Sequence, residues 1–232
     1  HEFEVAQKFD HPSLIKAYDI RVTRKWFRDR EVRTLLEYVN GATLEQMKEP
    51  GLPVLAFVFT EVAGAVAYMH RCGVFHADLK PNNIMVSRGG QVKVIDFGLA
   101  WIRGDRKGRV QGTMGYLAPE QMRDRVVNEA TDIFNLGATV YRMLTGRLAS
   151  AGIAEGGSVV VSGKTVIAPV RELKPGLPEE LCVLVDRCCA NKPQKRPASM
   201  VEVANKLTKI RDAMNLSTDD LPRLLREIGL GV

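Results

Sequence analysis

The 232-residue sequence contains four cysteines, Cys72, Cys182, Cys188 and Cys189, and none stands in Cys-x-x-Cys or Cys/His ligand spacing. That excludes a disulfide-framed scaffold and a zinc module, and it points to reduced thiols in a cytosolic setting. The basic residues are scattered instead of gathered with aromatics, so a net charge of +6 does not mark a nucleic-acid surface. No apolar run reaches membrane length unbroken: residues 52–69 are interrupted by Pro53, Glu61 and Gly64 and read as a buried helix. No signal-peptide pattern and no internal repeat occur. What is present is an ordinary globular composition, 45% hydrophobic and 26% charged, sufficient for a sizeable core.

In chain order, Phe3, Val5, Ala6 and Phe9 give residues 2–9 a helical face, which Asp10-His11-Pro12 ends. Residues 14–25 and 31–39 read as a strand pair joined by the basic turn Arg28-Asp29-Arg30 and closed by Asn40-Gly41. A short helix is expected at 43–47 and a long apolar one from 52 to His70, stopped by Gly73. Residues 101–111 read as a basic, glycine-containing loop, and 132–144 as a second apolar helix ending at Gly146. Residues 148–161 look irregular; helices follow at 181–189, 199–214 and 221–228. Strands first and helices after predict an α+β fold with a small sheet and a helical body.

The most informative stretch is 74–98. Phe75-His76-Ala77-Asp78-Leu79-Lys80-Pro81-Asn82-Asn83 is followed, after a hairpin-like segment, by Val94-Ile95-Asp96-Phe97-Gly98. Short apolar runs at 74–75, 84–86 and 92–95 each carry a polar group at one end, so Asp78, Asn83 and Asp96 are expected to converge with Lys80. Acid and amide oxygens suit a hard cation, lysine supplies a point charge, and one carboxylate stays free. That set fits magnesium-assisted phosphoryl transfer on an acidic substrate such as a nucleotide. Singly, each residue has a structural reading: His76 as a core histidine, Asp96 as a strand-end cap, Glu120 as a helix N-terminal charge. Their ordered combination carries the chemistry.

Over residues 2–211 this combination resembles the eukaryotic-type protein kinase superfamily. His76-Ala77-Asp78 with Lys80 and Asn83 is similar to the catalytic loop, Asp96-Phe97-Gly98 to the magnesium motif, and Ala118-Pro119-Glu120 to the end of the activation segment. Asp132 is similar to the buried aspartate of the central helix, and Arg196 to the arginine that pairs with the Glu120 position. The resemblance implies a partial N-terminal lobe at 1–39, a mostly helical C-terminal lobe at 40–211 and a helical tail at 212–232. It implies ATP and Mg2+ as cofactors and a protein bearing Ser or Thr as partner, with no nucleic acid and no membrane segment in the chain. Asp78 would orient the acceptor hydroxyl and take its proton, Lys80 would neutralise the moving phosphoryl group, and Asn83 and Asp96 would hold magnesium. Lys80 with Gly112-Thr113 looks like the serine/threonine branch, Thr113 bonding Asp78 and Lys80. Glu37 and Val39 would read adenine through backbone groups, with Leu36 as gatekeeper, Met85 as floor and Glu2 as the regulatory-helix glutamate. Residues 112–121 resemble bacterial members, which often lie on the cytoplasmic side of a membrane anchor.

The sequence also departs from that pattern. The glycine-rich loop and the Val-Ala-Ile-Lys lysine have no counterpart, so the expectation is a piece of a longer kinase that binds ATP weakly and turns over little by itself. Ala77 stands where most kinases carry the arginine that pairs with an activation-segment phosphate, and residues 99–112 contain no Ser, Thr or Tyr. Phosphorylation in that interval is therefore not the expected switch, and Asp105 is the candidate to order the loop. Ala6 and Ala17 are small where the family stacks larger groups, which implies a looser upper lobe or compensation from upstream. Two rivals remain: a pseudokinase scaffold, and an aminoglycoside-type phosphotransferase sharing the His-x-Asp loop.

Overall fold

A computed structural model describes residues 1–25, 28–104, 111–149 and 167–230. The elements are α1 (Glu2–Ala6), β1 (Ala17–Lys25), β2 (Arg28–Leu36), β3 (Gly41–Thr43), α2 (Leu52–Arg71), β4 (Val74–Phe75), β5 (Ile84–Ser87), β6 (Val92–Val94), β7 (Trp101–Ile102), α3 (Pro119–Arg123), α4 (Glu129–Thr145), α5 (Val170–Leu173), α6 (Glu179–Cys188), α7 (Met200–Ala213) and α8 (Leu221–Glu227). The fold is the expected α+β: small antiparallel sheets above a helical body.

The body is built around α2 and α4. Pro53 sits in the first turn of α2, where its missing N–H leaves no bond unmade. The helix ends ahead of Gly73, whose φ of 72° is cheap only for glycine. By length and composition α2 could cross a membrane, but 72% of its most apolar window is buried inside the protein. It is the core helix, packed against α4, α7 and α8. Asn128 caps α4 by accepting from the Ala130 and Thr131 amides, and Gly146 at φ 74° stops it. Phe57, Phe59, Leu79, Phe97 and Phe134 are the large fully buried side chains between these elements.

Three antiparallel groups carry the site: the β1–β2 ribbon, the sheet β3-β5-β6, and the pair β4–β7. Gly41 starts β3 because the backbones nearly touch there: a Cβ would lie 2.0 Å from the Val86 carbonyl oxygen. The ribbon joins the body through the segment before β1, where Val94 N donates to Ser13 O at 2.8 Å and Ile15 N to Val94 O at 3.0 Å.

Several local expectations change. Arg28-Asp29-Arg30 is not a turn but the start of β2, Arg28 pairing with Lys25; the connection shrinks to residues 26–27, outside the described residues. Of residues 43–47, Thr43 ends β3 and the rest form turns and no helix: Leu44 N donates across to Ile84 O at 2.9 Å, and the Gln46 side chain accepts from Thr43 N at 3.0 Å. Those bonds commit the backbone to β5 before a helical turn can close. Helix α1 ends at Ala6, three residues early, and α5 is an addition that the proline-rich surroundings concealed. Trp101 and Ile102 are strand, paired with Phe75 and Val74.

Candidate active site

The loop after β4 is held from below. Asp132, fully buried on α4, accepts from His76 N at 2.8 Å and Ala77 N at 2.7 Å, one carboxylate oxygen to each. Ala77 takes φ 66°, strained for a residue with a Cβ, and those two charge-assisted bonds hold it. The buried His76 ring lies edge-on to Phe97 at 5.8 Å, and Phe97 meets Phe9 at 5.3 Å. Phe9, in the segment between α1 and β1, thus packs against the Phe97 ring.

Asp78 then faces a ring of donors. Its Oδ2 accepts from Lys80 Nζ at 2.7 Å and Asn83 Nδ2 at 3.3 Å; its Oδ1 accepts from Thr113 N at 2.8 Å. Lys80 Nζ also donates to Thr113 Oγ1 at 2.6 Å. The structure therefore brings Asp78, Lys80, Asn83 and Thr113 together across 35 residues of chain. Asn83 donates from Nδ2 to Asp78 O at 2.9 Å, leaving its amide oxygen as the atom for a cation. Ile95 N donates to Asn83 O at 2.9 Å, fixing Asn83 beside the strand end that carries Asp96. Asp96, at φ 66°, is exposed, and its Oδ1 accepts from Gly98 N at 3.2 Å. One carboxylate and one amide oxygen are a hard-oxygen set that fits Mg2+, with phosphates and water completing the shell. Among the described residues no cluster of three His, Cys, Asp or Glu forms a separate metal site.

On α1, burial and then the nearby Asp96 carboxylate push the Glu2 carboxyl above its ordinary range, which places Glu2 at the edge of the same site. Leu36 ends β2 and is 39% exposed. Glu37 N donates to Lys16 O at 2.8 Å, so the Glu37 amide is engaged within the protein. Met85 sits half-buried on β5, paired with Thr43 and Lys93. Asp105 lies outside the described residues.

Two features escaped the sequence reading. Lys93 on β6 is 2% exposed, and its Nζ lies 2.8 Å from the Glu37 carboxylate, tying the hinge to the strand before Asp96. A lysine between Val92 and Val94 in an apolar run was the available signal, since a buried ammonium needs a partner. His70, at the end of α2, puts Nε2 2.7 Å from Asp132 Oδ2 and Nδ1 3.2 Å from Glu129 Oε1; the second approach is an ion pair without hydrogen-bond alignment. Burial pulls the His70 pKa down, but Asp132 and Glu129 together outweigh it and hold the pKa above its ordinary value.

Further down, Arg196 pairs with Glu120 through two bonds of 2.7 and 2.9 Å, lies 4.9 Å over the Phe134 ring and donates to Ala130 O at 2.8 Å. Cys182, Cys188 and Cys189 are buried; burial pushes the Cys188 thiol up to about 12, so it is a packing group and not a nucleophile.

A small upper ribbon, a helical lower body and a carboxylate, lysine and threonine cluster between them define a phosphoryl-transfer domain of the protein kinase class. Residues 1–208 match the protein kinase domain family, and the chain belongs to it. A protein named probable serine/threonine-protein kinase in Streptomyces coelicolor is 35% identical over 63% of the chain and 23% of its own length. The probable serine/threonine-protein kinase PknB of Bifidobacterium longum is 30% identical over 87% of the chain and 31% of its length. The serine/threonine-protein kinase PknJ of Mycobacterium bovis is 31% identical over 88% and 36% respectively. The chain thus spans about a quarter to a third of the length of these relatives. The match supports the serine/threonine kinase reading over the aminoglycoside-type rival.

Proposed function

We propose that this domain transfers the γ-phosphoryl group of ATP to a Ser or Thr hydroxyl of a protein in the cytoplasm. The observation that carries the reading is the Asp78 carboxylate clamped by Lys80, Asn83 and the Thr113 amide. Asp78 orients the acceptor hydroxyl and takes its proton, and Lys80 neutralises charge on the group in transit. Asn83 and Asp96 would hold Mg2+, which supplies Lewis-acid neutralisation of phosphate charge. The Glu37 and Val39 backbone would read adenine beside Leu36 and above Met85. Free buried thiols agree with a reducing compartment.

The test is label transfer from γ-radiolabelled ATP to casein and to kanamycin by the purified full-length gene product and by its Asp78→Asn variant. Transfer to casein alone is expected, with the substitution lowering the rate by roughly 10²- to 10⁴-fold. Transfer to kanamycin alone, or an Asp78→Asn variant at full rate, would contradict the proposal. No transfer together with no magnesium-dependent ATP binding would leave the scaffold reading instead.

A further inference from the structure

We infer that Gln121 is a positioning residue that fastens the end of the activation segment to the catalytic loop, so that folding, and not a phosphate, sets the segment. Gln121 lies on α3, directly after Ala118-Pro119-Glu120, and is 2% exposed. Its Nε2 donates to Ala77 O at 2.8 Å and to Gln111 O at 2.9 Å. Its Oε1 accepts from Ala118 N at 3.2 Å and, at the long limit of 3.5 Å, from Asn135 Nδ2 on α4. Both protons and both lone pairs of one buried amide are therefore engaged, by four different stretches of chain. The arrangement also fixes which way the amide points. Reversed, its oxygen would face two carbonyls and its NH2 two donors.

The position of this amide answers the absence noted at Ala77. The bond goes to the Ala77 carbonyl, and Ala77 is the residue where an arginine would otherwise grip a phosphate. Its other bond reaches Gln111, the residue before Gly112-Thr113. Gly112, at φ 137°, passes so close that a Cβ there would sit 3.1 Å from Gln121 Nε2 and 2.5 Å from Leu117 Cδ2. The next residue, Thr113, donates its amide to Asp78 and accepts from Lys80 at its hydroxyl oxygen. A short path thus runs from the Gln121 amide by a hydrogen bond to Gln111, along the backbone through Gly112 to Thr113, and by a second hydrogen bond to the Asp78 carboxylate. The effect on turnover rests on the kinase reading; the fastening itself does not.

Two near-isosteric variants separate these points. Gln121→Glu removes both donors and keeps an acceptor for Ala118 N; Gln121→Met keeps the volume and removes all four bonds. In both, hydrogen exchange of the Thr113 amide is expected to rise about 10- to 100-fold, because two buried bonds no longer hold the preceding residues. Turnover on casein should fall about tenfold at unchanged KM for ATP, since the hinge is untouched. In the wild type the two Gln121 side-chain amide protons should be strongly protected from exchange. Unprotected side-chain protons, unchanged Thr113 exchange in a folded variant, or an obligatory phosphate on residues 99–113 of the active protein would each overturn the inference. If the wild type transfers no phosphate to casein, the kinase reading fails while the exchange results still decide the role of Gln121.

Discussion

The β1–β2 ribbon and the loop after β4 use the same kinds of side chain in opposite ways. On the ribbon, Tyr18, Val32 and Leu35 are 57–60% exposed, and the ion pairs Arg33 with Glu31 and Arg21 with Asp19 lie along single strands in solvent. Around the loop, Asp132, Glu120, Arg196 and Gln121 are all buried and each bridges distant parts of the chain. Charge at the surface is screened and contributes little, whereas buried charge must be matched in full or it destabilises. The acceptor half of the site is therefore rigidly specified. The half proposed to hold adenine is tied to the body by Lys93 to Glu37 and by the Ser13 to Val94 bridge.

Substitutions can break that contrast. Arg196→Leu should produce the largest loss, about 3–5 kcal/mol by urea denaturation, because it strands Glu120 in the core; Arg33→Leu on the ribbon should change stability by under about 1 kcal/mol. Equal losses at the two sites would erase the distinction. Lys93→Met comes next. Glu37 keeps partial solvent contact, so a stability loss of about 1–2 kcal/mol is expected, with ATP affinity by calorimetry falling several-fold as the hinge loosens. An unchanged ATP affinity would show that the hinge is held by its backbone alone.

The smallest expected effect is a pH dependence at His70. Its pKa is raised in the folded protein, so its imidazolium stabilises the fold fully below the unfolded value of about 6.5, and that contribution disappears as pH rises through the folded value. The stability difference between wild type and His70→Gln should shrink as pH rises above about 6.5. A difference that stays constant over that range would mean that His70 is neutral between its two carboxylates.

Much of the site was legible because its parts are close in sequence. Asp78, Lys80 and Asn83 fall within six residues, and Asp96 follows one hairpin later. Glu120 and Arg196 are 76 residues apart, yet each sits in a recognisable setting. Lys93 carried a local signal, its place between two valines, but not its partner, which lies 56 residues away; Gln121 carried none, and only burial turns an ordinary glutamine into a tether to a carbonyl 44 residues away. Periodicity failed at 43–47 for a similar reason, since a bond from Leu44 N to β5 outweighed helical propensity. The basic triplet at 28–30 looked like a turn because charge is common in turns, yet the backbone pairing of Arg28 with Lys25 already belongs to the ribbon.

Helix α8 gives the core a cover that the family match does not include. The match to the protein kinase domain family ends at residue 208, inside α7, yet Leu225 beyond it is fully buried and α8 packs on α2. Pro222 and Leu221 close over the Gly90 turn, where a Cβ would come within 3.3 Å of Pro222 Cγ. A gene trimmed to the recognisable domain would end in mid-helix and uncover an apolar flank of the core helix. An expression boundary set by packing therefore falls after α8 and not at residue 208.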